Sequence, residues 1–496
     1  MDLPFGYVYD DRMLLHKCHY DNTMAERPER MSLIFERLLH DKLLIGSLKI
    51  ESRPATDEEL LINHPRELLS ELQDLKTSDD CEEYCRDKEI LWLSPESEQA
   101  ARLAVGSSID IVKANIDKKI GNGFAIVRPP GHHSYGKISQ GYCVFNNVAI
   151  AAKVALKDFG VKKIAIVDFD YHAGNGTFYS VKNEENIMFV SLHSYCHAAF
   201  WPFMKEFDFD TGKNTIFFPL NGAMNTEVDF MAAFHHVILP ILKEWAPELI
   251  LVSAGFDAGF YDIMLEMGQA VKAHGFGHIV RCLNEITPDH VIAILEGGYF
   301  PRNYTESAAM MVRGLKGLKL PKIDYSIPVA GPMIETIWNN VIHHKKHFNC
   351  MELKERLLQA QQEKVGLLPF MPKTQIYLGG EMRRMYDKVK KRKAVRTREW
   401  FPELSPEAVA KSTKKIDEYI HKYKYEEKPE KYFCDLNVKL EQLLWTEQTE
   451  ADYFIRSAET TLFFVNDFRD FVEGRKNHTM ICDRELYDIE KDERKK

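Results

Sequence analysis

The chain carries residues that could share a metal ion and work on an amide. In Asp168-Phe169-Asp170-Tyr171-His172-Ala173-Gly174-Asn175-Gly176 two carboxylates and an imidazole recur at every second position. On extended backbone such residues point to one side. They repel and desolvate one another there unless a cation joins them, and oxygen and nitrogen donors suit Zn2+. The competing reading is a solvated strand end whose aspartates cap the next helix. In Ser253-Ala254-Gly255-Phe256-Asp257-Ala258-Gly259 the only charge is Asp257, among small residues that allow close backbone approach. It can supply a third ligand, or cap a turn.

Two further segments add acid–base groups. His132 and His133 follow Arg128-Pro129-Pro130-Gly131, a turn fixed by two prolines and a glycine. Adjacent imidazoles on a rigid loop can reach one cavity and act as base and then acid; the plain alternative is a polar surface loop. In Glu296-Gly297-Gly298-Tyr299 two glycines permit unusual dihedrals. They present a phenol that could donate to a carbonyl becoming an oxyanion, or a tyrosine simply packed at a turn. Jointly these groups make a set for metal-assisted amide hydrolysis.

The elements that must position them are strands. Phe124–Val127, Ile164–Val167, Ile187–Val190, Leu249–Val252 and Val291–Leu295 are short, continuous apolar runs rich in β-branched residues. Such runs suit parallel strands covered on both faces. Helical patterns lie between them, at Phe230–Trp245 and Val271–Glu285 among others. The alternation predicts a doubly wound α/β domain, and polar residues at strand ends mark its ligand site.

Length and composition fit that plan. The 496 residues are 45% hydrophobic and 28% charged, enough for a large core. A net charge of −9 argues against a nucleic-acid footprint, and no direct sequence-specific nucleic-acid binding is expected. No apolar run is long enough to span a membrane, and Met1–Gly6 shows no secretory pattern. Nine cysteines without a CxxC pair suggest reduced thiols and a nuclear or cytoplasmic setting.

Beyond about Leu320 strand signals cease. Residues 334–362 read as helix with Trp338, Val341 and Ile342 on one apolar face. Lys388–Arg398 holds seven basic residues in eleven, either an import or anionic-partner patch or a solvated helix face. Leu440, Leu443, Leu444, Leu462, Val465 and Val472 suggest amphipathic helices that pack back or bind a protein partner. The organisation expected is a catalytic domain over 1–375 and a helical, charged extension over 376–496.

The motifs RPPGHH (128–133), GYCVFNNVAIAA (141–152), DFDYHAGNGT (168–177), VSLH (190–193), SAGFDAG (253–259) and LEGGY (295–299) resemble, in order and spacing, those of the zinc-dependent histone deacetylases. The resemblance covers roughly residues 5–320, and ERPER (26–30) with FWPF (200–203) is most similar to class IIb. It implies an arginase/deacetylase-like three-layer α/β fold, with a mainly parallel sheet of about eight strands and a narrow tube leading to zinc. It implies Asp170, His172 and Asp257 as zinc ligands and His132 and His133 as the catalytic pair. Asp168 and Asn175 become the partners of that pair, and Tyr299 the carbonyl-polarising phenol. Gly141, Tyr142 and Trp201 match the acyl-lysine tube, with Tyr142 where Phe is usual. Oxygens near Asp168, Asp170, His172, Ser191 and Leu192 match a structural K+ site.

The implied activity is removal of acetyl groups from protein lysines, histones included, by metal-activated water. The same set would serve acetylpolyamines. Two departures bear on this. Ala173 stands where a second His usually follows the ligand His, which raises the alternative of a weakly catalytic corepressor or scaffold module. Residues 260–273 depart from the pattern, and one register puts Glu266 at the tube mouth. A carboxylate there would favour a cationic ligand; the other reading is a solvated loop side chain.

Overall fold

The computed structural model describes residues 3–21, 24–260, 262, 269–371, 377–391 and 438–457. Eight strands form one sheet: β1 (Gly6–Val8), β2 (Leu48–Lys49), β3 (Gly123–Ala125), β4 (Ile164–Asp168), β5 (Ile187–Ser194), β6 (Thr215–Leu220), β7 (Leu249–Ala254) and β8 (Val291–Leu295). Their spatial order is β2-β1-β3-β8-β7-β4-β5-β6, and every neighbouring pair is parallel. Parallel strands need crossovers, whose helices cover both faces. Hence every residue of β4, β5, β7 and β8 is buried, and these strands are uninterrupted apolar runs until their polar ends.

All five expected strands are present, and three more complete the sheet. β1 and β2 span three and two residues, too short to show a period. β6 contains Pro219, which argues against a central strand but is tolerated at an edge. Helix Gly331–His344 lies along that edge. Its Thr336 hydroxyl donates to Pro219 O (3.1 Å) and its Asn340 amide to Phe217 O (3.0 Å), so outward carbonyls of the edge strand are occupied.

The expected helix over 230–245 is present as a helical path from Glu227 to Trp245 with a wider turn at Phe234–Ile238. Pro240 just beyond that turn has no N–H to give back to the preceding carbonyls. Helix Ala273–Ile286 occupies the second expected stretch. Residues 334–362 form two helices rather than one, Gly331–His344 and Asn349–Lys364. The second starts on a separate cap: the Glu244 carboxylate accepts from Asn349 N (3.0 Å) and Cys350 N (2.8 Å). Trp338 and Val341 are buried as the apolar face requires, and Ile342 is half-buried.

Described parts of the extension pack on this body. Trp338 Nε1 donates to Leu443 O (2.8 Å), and Gln362 exchanges two hydrogen bonds with the Trp445 backbone (2.7 and 3.0 Å). Leu462, Val465 and Val472 and the basic residues beyond Lys391 lie outside the described residues. Among the described residues no helix is long and apolar enough to cross a membrane, and all seven cysteines are free thiols.

Candidate active site and metal centre

Strands β3, β8, β7 and β4 are adjacent, so the segments leaving their carboxyl ends converge. These are the four segments with acid–base and ligand chemistry. Asp170, His172 and Asp257 come together, with donor atoms all within 4.8 Å of one another. His172 Nδ1 stands 3.3 Å from Asp170 Oδ1 and 3.1 Å from Asp257 Oδ2. Zinc–ligand bonds of about 2.0–2.2 Å at tetrahedral angles need donors about 3.3–3.5 Å apart, so the trio fits the ion. The electrostatics point the same way. Burial, reinforced by the charge of Asp170, pushes the Asp257 carboxyl up to about 6. Burial also opposes the Asp170 charge, but His132 and His172 hold that carboxyl below its ordinary range. A divalent cation relieves this crowding.

Glycines make room for the trio. A methyl on Gly255 would lie 1.9 Å from Asp170 Oδ2, and one on Gly297 would lie 2.5 and 2.6 Å from Asp170 Oδ2 and Asp257 Oδ2. Backbone amides hold the carboxylates: Gly297 N donates to Asp170 Oδ2 (2.9 Å), and Tyr171 N to Asp257 Oδ1 (2.8 Å).

The two histidines lie beside the trio with ring centroids 3.8 Å apart and ring planes tilted by 41°. Their Nδ1 atoms face different partners, Asp168 Oδ2 (3.0 Å) for His132 and Asn175 Oδ1 (2.7 Å) for His133. Burial opposes the His132 charge, yet Asp170 and Asp168 lift its pKa well above normal. Burial, followed by the charges of His132 and His172, holds His133 well below it. One imidazole is therefore kept charged and the other neutral.

Tyr299 closes the far side. Its backbone N–H donates to Asp262 Oδ2 (2.8 Å), and the Arg30 guanidinium lies 5.0 Å over its ring. Burial, then the charge of Asp257, keeps its phenol protonated. Tyr142 packs against Tyr299 (centroids 5.7 Å), and Trp201 meets His133 edge-on (4.6 Å). Gly141 and Tyr142 both have positive φ, 56° and 65°. A methyl on Gly141 would lie 2.5 Å from His133 Cδ2, so only glycine fits there. Ala173 is buried in the core beside the site, with its carbonyl accepting from Asn175 N (2.7 Å). Glu266 lies outside the described residues, as do 263–268 around it.

Four residues inside the quoted motifs, to which the sequence reading gave no role, support these groups. Glu26 is buried between two arginines, accepting from Arg30 Nη1 (2.9 Å), Arg128 Nε (2.9 Å) and Arg128 Nη2 (2.6 Å). Arg30 continues to the turn before Tyr299, donating to Gly298 O (2.6 Å) and Glu296 O. Glu296 Oε2 accepts from Gly131 N (2.7 Å) and His132 N (3.1 Å), tying the histidine loop to the tyrosine loop. Nothing in sequence could say that Arg128 shares the same carboxylate.

Comparison with known proteins agrees with this geometry. A model of the histone deacetylase domain matches residues 24–315. The human polyamine deacetylase HDAC10 is 32% identical over 381 residues, covering 74% of this chain and 54% of its own length. The mouse protein of that name is 35% identical over 337 residues, covering 66% and 49%. Histone deacetylase HDA1 of Candida albicans is 31% identical over 377 residues, covering 70% and 45%. The chain thus spans about half the length of the curated relatives it matches. The crystal structure of the HDA15 HD domain superposes with a TM-score of 0.64 at 27% identity, covering 72% of this chain and 99% of that one. With the eight-stranded parallel sheet, these matches place the chain in the zinc-dependent histone deacetylase family, with the arginase/deacetylase-like fold and a class IIb-like character.

Proposed function

We propose that this chain is a zinc-dependent amide hydrolase that removes acetyl groups from acetylated primary amines, foremost acetyl-lysine side chains of proteins, histones included. One observation carries the reading. A buried Asp-His-Asp trio stands beside a histidine pair whose two Nδ1 partners differ, with a protonated phenol at the same strand ends. Asp170, His172 and Asp257 would hold the ion. When bound, zinc supplies a Lewis acid for the acetyl oxygen and lowers the pKa of a water from 15.7 toward about 7.

The rest falls to the chain's own groups. Asn175 Oδ1 accepts from His133 Nδ1–H, which leaves the Nε2 lone pair of His133 free to take a proton from the attacking water. His132, held by Asp168, stays protonated and keeps its neighbour neutral. Tyr299 O–H donates to the carbonyl oxygen as it gains negative charge, a contact worth about 2.7–4 kcal/mol. His133 then returns its proton to the amine nitrogen, the C–N bond breaks, and acetate and free amine leave. Tyr142 and Trp201 supply apolar walls for the lysine methylenes, about 0.8 kcal/mol for each one buried.

Acetylpolyamines are the second substrate reading, favoured by relatives named polyamine deacetylases. Acetate release from an acetyl-lysine peptide and from N-acetylated spermidine, before and after chelation, tests both. The account expects chelator-sensitive release with a preference for one substrate. No release from either would favour the weakly catalytic corepressor or scaffold reading raised by Ala173. A structural K+ beside Asp168 belongs to the same proposal, supported by the pairing of Asp168 with Ser191 across β4 and β5. Thermal stability rising with K+ at fixed ionic strength checks it. Nuclear or cytoplasmic residence, with Lys388–Arg398 as an import patch, is proposed from sequence alone and is tested by imaging a variant lacking that run. A protein partner for the extension is tested by pull-down with and without residues 376–496.

A further inference from the structure

The extension reaches the loop that carries Trp201. Helix Gly379–Lys391 starts on the loop that carries Trp201. Leu378 N donates to His197 O (2.8 Å), and a methyl on Gly379 would lie 2.1 Å from Phe203 O, so the helix is seated directly on that loop's backbone. Met382, one turn in, is fully buried. From the other side the Ser457 hydroxyl pairs with His197 Nε2 (2.5 Å). Two separate stretches of the extension thus grip the 197–203 loop.

One ion pair links this grip to the tube wall. The Arg383 guanidinium pairs with the Glu89 carboxylate. Glu89 Oε2 also accepts from Trp201 Nε1 (3.1 Å), its backbone carbonyl accepts from Gly141 N (3.0 Å), and Ile90 O accepts from Tyr142 N (2.8 Å). The segment Glu89–Ile90 therefore joins Tyr142, which packs on Tyr299, to Trp201, which packs on His133, and the only cation paired with its carboxylate among the described residues comes from the extension.

We infer that Arg383 is a specificity-determining residue of the deacetylase site: by pairing with Glu89 it keeps the tube rim from presenting a free carboxylate to cationic acetylamines. The inference rests on the deacetylase reading. With the pair intact, the rim selects for acetylated amines without a second positive charge close to the amide. With Arg383 neutralised, Glu89 turns toward such substrates, and acetylated diamines and acetyl-lysines flanked by basic residues gain.

The test uses the full chain and reads a ratio. For the unmutated protein, Arg383→Gln and Arg383→Lys, kcat/KM is measured on monoacetylated 1,4-diaminobutane and on an acetyl-lysine peptide with neutral flanks. Arg383→Gln is expected to shift the ratio toward the diamine by about fivefold, the upper range for an ion pair near the surface. Arg383→Lys, which keeps the charge, restores it to within about twofold, which loss of packing alone would not produce. Equal ratios in all three proteins, or equal shifts in the Gln and Lys variants, overturn the inference. Amide hydrogen exchange over 197–203 needs no turnover. It should quicken in Arg383→Gln and not in Arg383→Lys, and unchanged exchange overturns the inference. Absence of turnover on both substrates with the exchange result as expected would fault the deacetylase reading and leave the Arg383–Glu89 link to the 197–203 loop standing.

Discussion

Gly255→Ala tests how tightly the ligand trio is built. The added methyl would sit 1.9 Å from Asp170 Oδ2, 2.4 Å from its Cγ and 2.6 Å from its Cβ. Ordinary contact begins at 3.4 Å, so the carboxylate oxygen must retreat by 1.5 Å (3.4 − 1.9). Contact with Cβ means that a rotation of the carboxylate alone does not relieve the clash. The carboxylate is also pinned, with Oδ1 accepting from His172 N (2.9 Å) and Oδ2 from Gly297 N (2.9 Å). Metal sites tolerate about 0.2 Å in their bond lengths. Losing an orienting partner alone costs about 10–100-fold in metal affinity. Moving a ligand outright should cost at least about 100-fold, or about 2.8 kcal/mol. The assay is a zinc competition titration on purified protein, with Gly212→Ala as control because nothing lies within 4 Å of a methyl there. Comparing chemical denaturation of both proteins under chelator separates a lost site from a lost fold. A Gly255→Ala protein that binds zinc within about threefold of the control would refute the reasoning.

Three further outcomes are expected. Tyr299→Phe keeps the ring against Tyr142 and Arg30 but removes the donor, so kcat should fall about 10²–10³-fold with little change in KM, read by steady-state kinetics. The neutral base His133 has its pKa lowered by burial and by the charge of His132, so activity should persist below the ordinary imidazole range and fall only as His133 takes a proton. His132→Asn removes that charge, so besides slowing turnover it should move the acid limb of kcat/KM to higher pH. Glu26→Gln leaves Arg30 and Arg128 buried without their shared carboxylate and should cost about 3–5 kcal/mol in chemical denaturation. The native Glu26 carboxyl is held below its ordinary range: burial opposes its charge, but Arg128, His16 and Arg30 outweigh it. Its contribution is therefore present at neutral pH and lost as pH falls below the ordinary carboxylate range.

What the sequence showed and what it hid follow from where information is local. β4, β5, β7 and β8 were legible because crossover helices bury both faces and leave no polar alternation to confuse the period. β1 and β2 were not, since a two- or three-residue strand is defined by its neighbours alone. The break at 345–348 was hidden because its cap, Glu244, comes from a helix about a hundred residues earlier. At the site, the trio, the histidine pair and Tyr299 were legible because each sits within a few residues of a strand end. The network of Glu26, Arg30 and Arg128 and the reach of Arg383 to Glu89 were not, because each is a contact between distant segments.

The most direct measurement is the anomalous scattering of a crystal of the purified protein, recorded at the zinc edge. The account predicts one zinc per chain, bonded to Asp170, His172 Nδ1 and Asp257 on the side open to His133 and Tyr299. A metal held instead by His132, Cys143 and Glu296, or by His132, His133 and Asp170, the other described groups with donors within 4.8 Å of one another, would contradict it. So would the absence of any zinc from protein that releases acetate.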